Sequence, residues 1–598
     1  MSQDIALDTA STRPAASQRL KLPSSVWLGI LAIAASILVP GALGNQYWTY
    51  TFTLVTLYIV VAIMQNMLIS EAGQMSFGQG AVFGIAAVTA AVMTGLHGQP
   101  FWLSAIGGIG AGLVLGALFA APALRVQGYY LGFVTLSAAL VFPQLLIAFD
   151  SITGGVNGVP AFVMSLATPV YGSITPLSIL AVLFAAFALL FHAVLPHTVL
   201  GRRMIIVSNS PEAAQALGIH PGTIRSIAFL IAAFGTAVAG VLYVPLVGFV
   251  GPTAFRVDFS IFFFLAVIVG GQGKLLGPIV GVWLLHLVPN VFLADFSHYR
   301  LLIYGVVALA VMLAFPDGVV GTLSKWIASR RSGSEKVTVS LHDALRKDDE
   351  LAASPAPRPA DGAALIEVRE ARKSFGNAVA LGGASLSVKE GTIHGLVGPN
   401  GSGKTSMLNT ISGFMPLDSG KVELFGRNVT RLAPWRRTRM GVGRTFQTPR
   451  IFDRLSIWEN VQIGREGFGR AGGENGLAKL GSLAARWRRQ DPSLLPHGQR
   501  RLLEILRVME SDARVILLDE PAGGLSPEER ADLANLLVYF RDKLGKTILL
   551  VEHDLRMVWN VADEITVMET GTVAASGMPE EIKSNPKVRA LFTGGGDA

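Results

Sequence analysis

Gly398-Pro399-Asn400-Gly401-Ser402-Gly403-Lys404-Thr405 follows directly on the strand-like run His394-Gly395-Leu396-Val397, and a helical pattern begins after Gly403. Strand, glycine-rich turn and helix in that order make a cradle for phosphate. The glycines let backbone N–H groups turn toward the β- and γ-phosphates, and the helix N-terminus adds a favourable dipole. Lys404 offers a point charge to the phosphates and Thr405 a hydroxyl to Mg2+, with Ser406 closing the nucleotide-contacting run. Further on, Val515-Ile516-Leu517-Leu518 reads as a buried strand ending in Asp519-Glu520. Asp519 is expected to bind Mg2+, directly or through water. Glu520 points the other way and is expected to polarise the attacking water as general base. The expected cofactors are ATP and Mg2+.

The half before this loop has the opposite character. From Val26 to Gly201 the only charged residues are Glu71, Arg125 and Asp150. The 598-residue chain is 15% charged with a mean hydropathy of +0.49, against about 25% charged for a soluble average. A Lys or Arg at the centre of a membrane helix costs about 2.5–3.5 kcal/mol, and this half avoids it. Apolar stretches of membrane-crossing length lie near 26–43, 47–69, 77–95, 101–121, 129–149, 174–194, 226–248, 258–271, 277–293 and 300–315. Arg125, Arg202-Arg203, Arg225 and Lys274 fall on the same side as the N-terminus, whereas Asp150 to Tyr171 has no basic residue and lies opposite. That asymmetry follows the positive-inside rule. Both ends of the region must face ATP, so an even number of spans, about ten, is expected; 258–271 is short and reads as a broken or re-entrant helix.

The net charge of +8 is assigned to loops beside a bilayer and not to a nucleic-acid surface. The absence of Cys excludes disulfide, thiol and cysteine-zinc chemistry. The expected organisation is a cytoplasmic tail at 1–25, a polytopic α-helical membrane domain at 26–321, a linker at 322–364 and an α/β P-loop domain at 365–598. The tail is polar and the first apolar run exceeds a usual signal-peptide core, so that run reads as an uncleaved first helix. Ala352-Ala353-Ser354-Pro355-Ala356-Pro357-Arg358-Pro359-Ala360 has nothing to bury and reads as a tether.

Further motifs carry a family resemblance. Gln447 lies in Arg444-Thr445-Phe446-Gln447 and His553 in Val551-Glu552-His553-Asp554. In this order and spacing they make residues 365–598 resemble the ATPase of ABC transporters. The resemblance implies that Gln447 senses the γ-phosphate, contacts Mg2+ and faces the membrane domain. It also implies that His553 contacts the γ-phosphate and that Phe375 stacks on adenine, core packing being the alternative for that ring. The signature motif, with Gly498 and Gln499, would meet a partner's ATP. Here it reads Leu495-Pro496-His497-Gly498-Gln499, and Pro496 removes a hydroxyl and a backbone donor. With Arg500-Arg501 and Glu504 it is similar to the ATPase branch of branched-chain amino-acid importers.

The membrane half resembles the permease of the same class. The motifs are Gly73-Gln74-Met75-Ser76-Phe77-Gly78-Gln79-Gly80, Arg125-Val126-Gln127-Gly128-Tyr129-Tyr130, Thr153-Gly154-Gly155-Val156-Asn157-Gly158 and Gly270-Gly271. Glu212-Ala213-Ala214-Gln215-Ala216-Leu217-Gly218 matches the importer coupling motif, a short helix ended by Gly218 that forms a knob for a groove near Gln447. The resemblance implies a permease–ATPase fusion in the bacterial inner membrane, multi-pass, with the ATPase in the cytoplasm. It would work with a second permease–ATPase half, as homo- or heterodimer, and with a periplasmic or extracellular substrate-binding protein. Its cargo would be branched-chain amino acids or another small polar or zwitterionic solute, within membrane lipid and without nucleic acid. A half-exporter and a non-transporting regulatory subunit are the alternatives.

Overall fold

The computed structural model describes residues 23–124, 129–292, 295, 299–331, 362–467 and 492–593. The tail before Pro23, Arg125–Gly128 and the Ala/Pro-rich tether lie outside the described residues. The first five long helices are α1 (Ser24–Ala42), α2 (Gln46–Ser70), α3 (Gln79–Ala91, prolonged by a π-turn to Leu96), α4 (Phe101–Ala123) and α5 (Tyr129–Ala148). After α6 (Pro176–Val194) come two shorter helices, α7 (Val199–Asn209) and α8 (Pro211–Ala216). Next are α9 (Pro221–Val247), α10 (Val257–Gly270), α11 (Gly277–Leu287), α12 (Arg300–Ala314) and α13 (Gly318–Arg331). Local chemistry sets the starts. Asn45 accepts a hydrogen bond from the Trp48 N–H at 3.1 Å, and Pro176 and Pro221 open α6 and α9 behind capping Thr175 and His220.

Among the described residues nine helices are long and apolar enough to cross a membrane, and a shorter apolar helix, Gly277–Val291, accompanies them. The sequence puts the shortfall at 258–271; the structure puts it one helix later. A 3-10 turn, Pro252–Phe255, leads into α10 and brings that apolar segment to membrane length, whereas α11 gives way to a π-turn over Val288–Phe292. Pro289 in that turn lacks the donor a regular helix would need.

Small residues bring the spans together. Gly108, Gly112 and Gly116 form one edge of α4, and Cβ atoms there would stand 2.6 Å from the Ala86 carbonyl and 2.5 and 2.3 Å from the methyls of Ala237 and Ala233. Such spacing lets helix backbones approach closely where no water drives association. The irregular backbone before α3 is buried and supported: the Gln65 amide donates to the Ser76 carbonyl at 2.8 Å, and the Thr236 hydroxyl donates to Gln79 Oε1 at 2.7 Å. A short strand, β1 (Val159–Pro160), pairs antiparallel with β2 (Phe249–Val250) just after the Thr153–Gly158 loop.

The second half is built on two sheets. β3 (Ala364–Phe375), β4 (Ala378–Lys389), β6 (Ser419–Leu424) and β7 (Arg427–Asn428) form an antiparallel sheet in the order β4-β3-β6-β7. β5 (Ile393–Val397), β8 (Val442–Arg444), β9 (Val515–Asp519), β10 (Thr547–Val551), β11 (Glu564–Glu569) and β12 (Thr572–Gly577) make the other, in the order β12-β11-β5-β10-β9-β8. Only β12 runs antiparallel in it. Its central strands are apolar on both faces, as a covered parallel sheet requires. Leu396, Val515, Leu517, Leu549 and Val551 face helix α14 (Lys404–Ser412). Ile516, Leu518, Ile548 and Leu550 alternate with them and face α17 (His497–Met509), α18 (Pro527–Leu544) and α19 (Leu555–Val561). Two helices precede these in the chain, α15 (Pro434–Arg439) and α16 (Ile457–Gly467).

Candidate active site

The loop between β5 and α14 has the backbone its sequence calls for. Gly398, Gly401 and Gly403 adopt φ of 153°, 80° and 99°, and a Cβ on Gly398 would stand 2.2 Å from the Met568 carbonyl oxygen. Lys404 opens α14, is buried, and donates from Nζ to the Gly398 and Pro399 carbonyls at 2.8 and 2.9 Å. Burial lowers its pKa, against the opposing pull of Glu520 and Asp519. Its ammonium therefore sits folded over the loop in which phosphate charge would be received. Asn400, Gly401 and Thr405 are exposed, and Ser402 is buried with an unpartnered hydroxyl among the described residues.

Asp519 ends β9 inside the domain. Burial raises its pKa, offset first by Arg444, whose guanidinium lies 3.6 Å away. Arg444 donates to Ser412 Oγ and, at 2.7 Å, to Asn409 Oδ1. It lies 5.3 Å from the ring centres of both Phe414 and Phe446. Burial lowers its pKa to about 10. Asp519 Oδ1 is buried without a hydrogen-bond partner among the described residues. A free carboxylate oxygen on Asp519 and the exposed hydroxyl of Thr405 are both oxygen ligands that suit a hard oxygen-seeking cation. Among the described residues no group of three or more His, Cys, Asp or Glu could hold a metal alone. Mg2+ here would complete its shell from phosphate and water, its usual habit.

Glu520 has φ of +49°, a left-handed conformation rare for a non-glycine residue. The twist directs its carboxylate to two other segments: Oε1 lies 2.6 Å from His553 Nε2 and Oε2 accepts from Gln447 Nε2 at 3.0 Å. A carboxylate only accepts, so Nε2 carries the proton in the histidine bond. The three candidate catalytic residues, from β9, the loop after β8 and the loop after β10, thus meet at one carboxylate. Glu552 fixes the histidine's loop: it is buried, accepts from the Ala522 N–H at 2.6 Å and the His553 N–H at 3.1 Å, and has its pKa raised by burial.

Phe375 is 58% exposed at the β3–β4 turn, 5.5 Å from Lys373 Nζ, so the core-packing alternative does not hold. Gly498 and Gln499 sit on the first turn of α17, Gly498 against Leu525 and Glu529. They make no hydrogen bond to the phosphate loop among the described residues.

The coupling motif forms α8, capped by Ser210, with Ala213 and Ala214 buried. It meets the ATPase through backbone carbonyls: Thr438 Oγ donates to Gln215 O at 3.1 Å and Arg439 Nε to Gly218 O at 2.9 Å. The His220 ring meets Trp435 edge-on at 5.2 Å. The groove is thus lined by α15, and Glu212 itself is exposed, accepting from Ser210.

Sequence reasoning names Arg501 and Glu504 in the family resemblance but misses Arg507 and the buried group the three form. Arg501 donates to the Phe446 and Gln447 carbonyls, Arg507 to the Arg450 carbonyl at 2.7 Å, and Glu504 accepts from the Arg450 N–H at 3.1 Å. Glu504 is fully buried between the two arginines, 3.5 and 3.4 Å away. A buried glutamate on an apolar helical face was the available signal.

An apolar helical bundle seated on a nucleotide-binding α/β domain defines an ATP-powered membrane transporter. Residues 47–315 match the branched-chain amino acid transport system permease component, and residues 381–523 match ABC transporter. The high-affinity branched-chain amino acid transport ATP-binding protein LivG of Salmonella typhimurium is 35% identical over 249 residues, 38% of this chain and 98% of that protein. A probable branched-chain amino acid transport ATP-binding protein LivG of Archaeoglobus fulgidus is 32% identical, over 39% of this chain and 97% of its own. A crystal structure of a nucleotide-free ATP-binding cassette from an ABC transporter is 30% identical, covering 38% of this chain and 99% of its own, with a TM-score of 0.35. The chain belongs to the ABC transporter family, as a permease domain of the branched-chain amino-acid transport family fused to an ABC ATPase domain.

Proposed function

We propose that the chain is the permease–ATPase subunit of a binding-protein-dependent importer. Its cargo is branched-chain amino acids or a related small polar or zwitterionic solute, carried across the bacterial inner membrane. The observation that carries this reading is the seating of α8 on α15 through the Gln215 and Gly218 carbonyls. Contact through backbone atoms makes a rigid knob, able to convert a movement of the ATPase into a tilt of the spans α6 and α9 that flank it. The match of residues 47–315 to a permease component supports the cargo class.

Two such halves, identical or different, close face to face on ATP in the cytoplasm. Lys404 and the loop N–H groups hold the phosphates, and Phe375 offers its exposed ring to the base. Gly498 and Gln499 reach the partner's nucleotide. Mg2+, held by Thr405, Asp519 and Gln447 with the phosphates, would neutralise charge that builds during transfer. Glu520 takes a proton from the attacking water; the His553 and Gln447 bonds orient its carboxylate until nucleotide enters. A separate binding protein delivers the solute to the side opposite the ATPase.

Isolation of the chain from its native membrane in mild detergent, followed by mass spectrometry, tests the reading. A second permease–ATPase half and an amino-acid-type binding protein are expected, and that binding protein should stimulate ATP hydrolysis. Recovery of this chain alone, with hydrolysis indifferent to added binding protein, rejects the importer.

A further inference from the structure

We propose that the ion pair between Glu71 and Arg454 is a second transmission contact, through which the segment carrying Gln447 acts directly on helix α2, independently of α8. The inference rests on the transport reading above and adds positioning residues to it.

Glu71 is the C-cap of α2 and is 2% exposed. A buried carboxylate needs a counter-charge or several donors. Among the described residues its cationic partner is Arg454, 383 positions away in the ATPase domain, which donates to Glu71 Oε1 at 2.8 Å and to the Ser70 carbonyl. Ser70 Oγ adds a bond of 3.2 Å to the same oxygen, while Oε2 has no hydrogen-bond partner among the described residues. Glu71 is thus neutralised mainly across the domain boundary. Apolar packing continues the contact: Phe452, Leu455 and Ile463 of the ATPase domain are buried in the same cluster as the membrane spans.

The stretch from Gln447 to Arg454 has little freedom to absorb a displacement. Arg501 holds the carbonyls of Phe446 and Gln447, and Arg507 and Glu504 hold both backbone groups of Arg450. Asn460 accepts from the Phe452 N–H at 3.0 Å and donates to its carbonyl at 3.0 Å, and the Arg507 guanidinium lies 4.8 Å from the Phe452 ring centre. Every second or third residue is pinned. Movement of Gln447 on nucleotide binding is therefore passed to Arg454. At the receiving end α2 is the most buried span, 83% of its central window against 17–67% for the others, so its displacement reaches the middle of the bundle. Three of the residues that pin the stretch, Arg501, Glu504 and Arg507, lie on α17 with the signature motif, which makes the pair responsive to both nucleotide-facing elements.

The test uses the full chain with its co-purified partners in lipid nanodiscs. The chain has no cysteine, so Ser151→Cys, exposed beyond α5 in the segment without basic residues that the charge asymmetry sets opposite the ATPase, gives one labelling site for a soluble maleimide. On a Glu520→Gln background, ATP is expected to change the labelling rate by roughly fivefold or more. Arg454→Gln and Glu71→Gln should each abolish that change while the ATP affinity stays within about twofold. The double variant should be no worse than either single, and Arg454→Lys should keep the response. Arg454 is 39% exposed on the soluble domain, so its variants decide the matter even where Glu71→Gln fails to assemble. A merely structural pair would lower yield and leave the ATP response intact. A responsive parent with responsive single variants, or effects that add in the double, overturns this inference alone. A parent with no response to ATP overturns the transport reading and this inference with it.

Discussion

Between β8 and α17 the ATPase domain buries Arg444, Arg501, Arg507, Glu504 and Asp519 within a few ångströms of one another. Within the helices α2, α3 and α4 the membrane domain has no charged residue, the buried Glu71 standing just past the end of α2; glycine edges, hydroxyls and amides hold its spans. The two interiors answer different solvents. In the soluble domain a charged side chain can pin a loop provided a counter-charge is folded in beside it. In hydrocarbon the same group would cost more than the loop gains, so geometry is fixed by volume and by neutral hydrogen bonds. Function in one half should therefore respond to charge, and in the other to size.

The largest effect is expected at the one carboxylate that three segments share. Glu520→Gln keeps the shape but can accept from only one of His553 and Gln447, and it cannot take a proton. ATP hydrolysis should fall by about 10²–10⁴-fold while nucleotide binding, measured by a fluorescent analogue, persists. A near-wild-type rate of phosphate release would remove Glu520 as the base. Glu504→Gln comes next. It leaves an acceptor for the Arg450 N–H but strips Arg501 and Arg507 of their counter-charge, and breaking a buried pair costs about 3–5 kcal/mol. Thermal unfolding of the full chain should show that loss. An unchanged midpoint would mean that the arginines are neutralised elsewhere.

The charge-governed half was also the more legible in sequence, for a physical reason. The phosphate loop and the acidic strand each work through neighbours along the chain, so Gly398 to Thr405 and Asp519-Glu520 carry their meaning locally. Gln447 and His553 were assigned by resemblance to the motifs of ABC ATPases, and the structure brings both to Glu520. The α8 knob was legible as a motif, yet its docking through the Gln215 and Gly218 carbonyls was not, because backbone contacts leave no side-chain signature. Contacts between residues hundreds of positions apart, Glu71 with Arg454 above all, left only one odd charge in an apolar run. The short helix was misplaced because the 3-10 turn at Pro252–Phe255 does not follow helical periodicity.

Size should rule in the membrane half. Gly112→Val inserts a branched side chain where a Cβ alone would come within 2.5 Å of the Ala237 methyl. The expected cost is toward the upper end of about 1–3 kcal/mol, seen as a lower unfolding temperature in detergent. Gly110→Val, on the open side of the same helix with nothing within 4 Å of its Cβ position, should be tolerated. Equal effects at the two positions would mean that the α4–α9 contact is not set by volume.

Acid should act on the charge-bearing half through His394. This residue is buried on β5, 2.8 Å from Thr566 Oγ, and burial lowers its pKa to about 4 from 6.5. The folded protein therefore disfavours the imidazolium, and between those two values the unfolded chain binds more protons. The stabilisation is complete above pH 6.5, is lost as pH falls, and is gone below about 4. At pH 5 the loss is about 2 kcal/mol relative to pH 7.5, at about 1.4 kcal/mol per pKa unit. Glu504 and Glu552 work the other way: burial raises their pKa values, so protonation at low pH relieves a cost of the folded state. The raw pH trend of stability is a sum of opposed contributions, and the variant difference isolates one of them. His394→Gln, unable to titrate, should lose about 2 kcal/mol less than the parent between pH 7.5 and 5 when unfolding of the full chain is followed at both. Parallel losses in parent and variant would mean that His394 accepts its proton without unfolding the sheet, with Glu564, 3.7 Å from Nδ1, as the group that receives the charge.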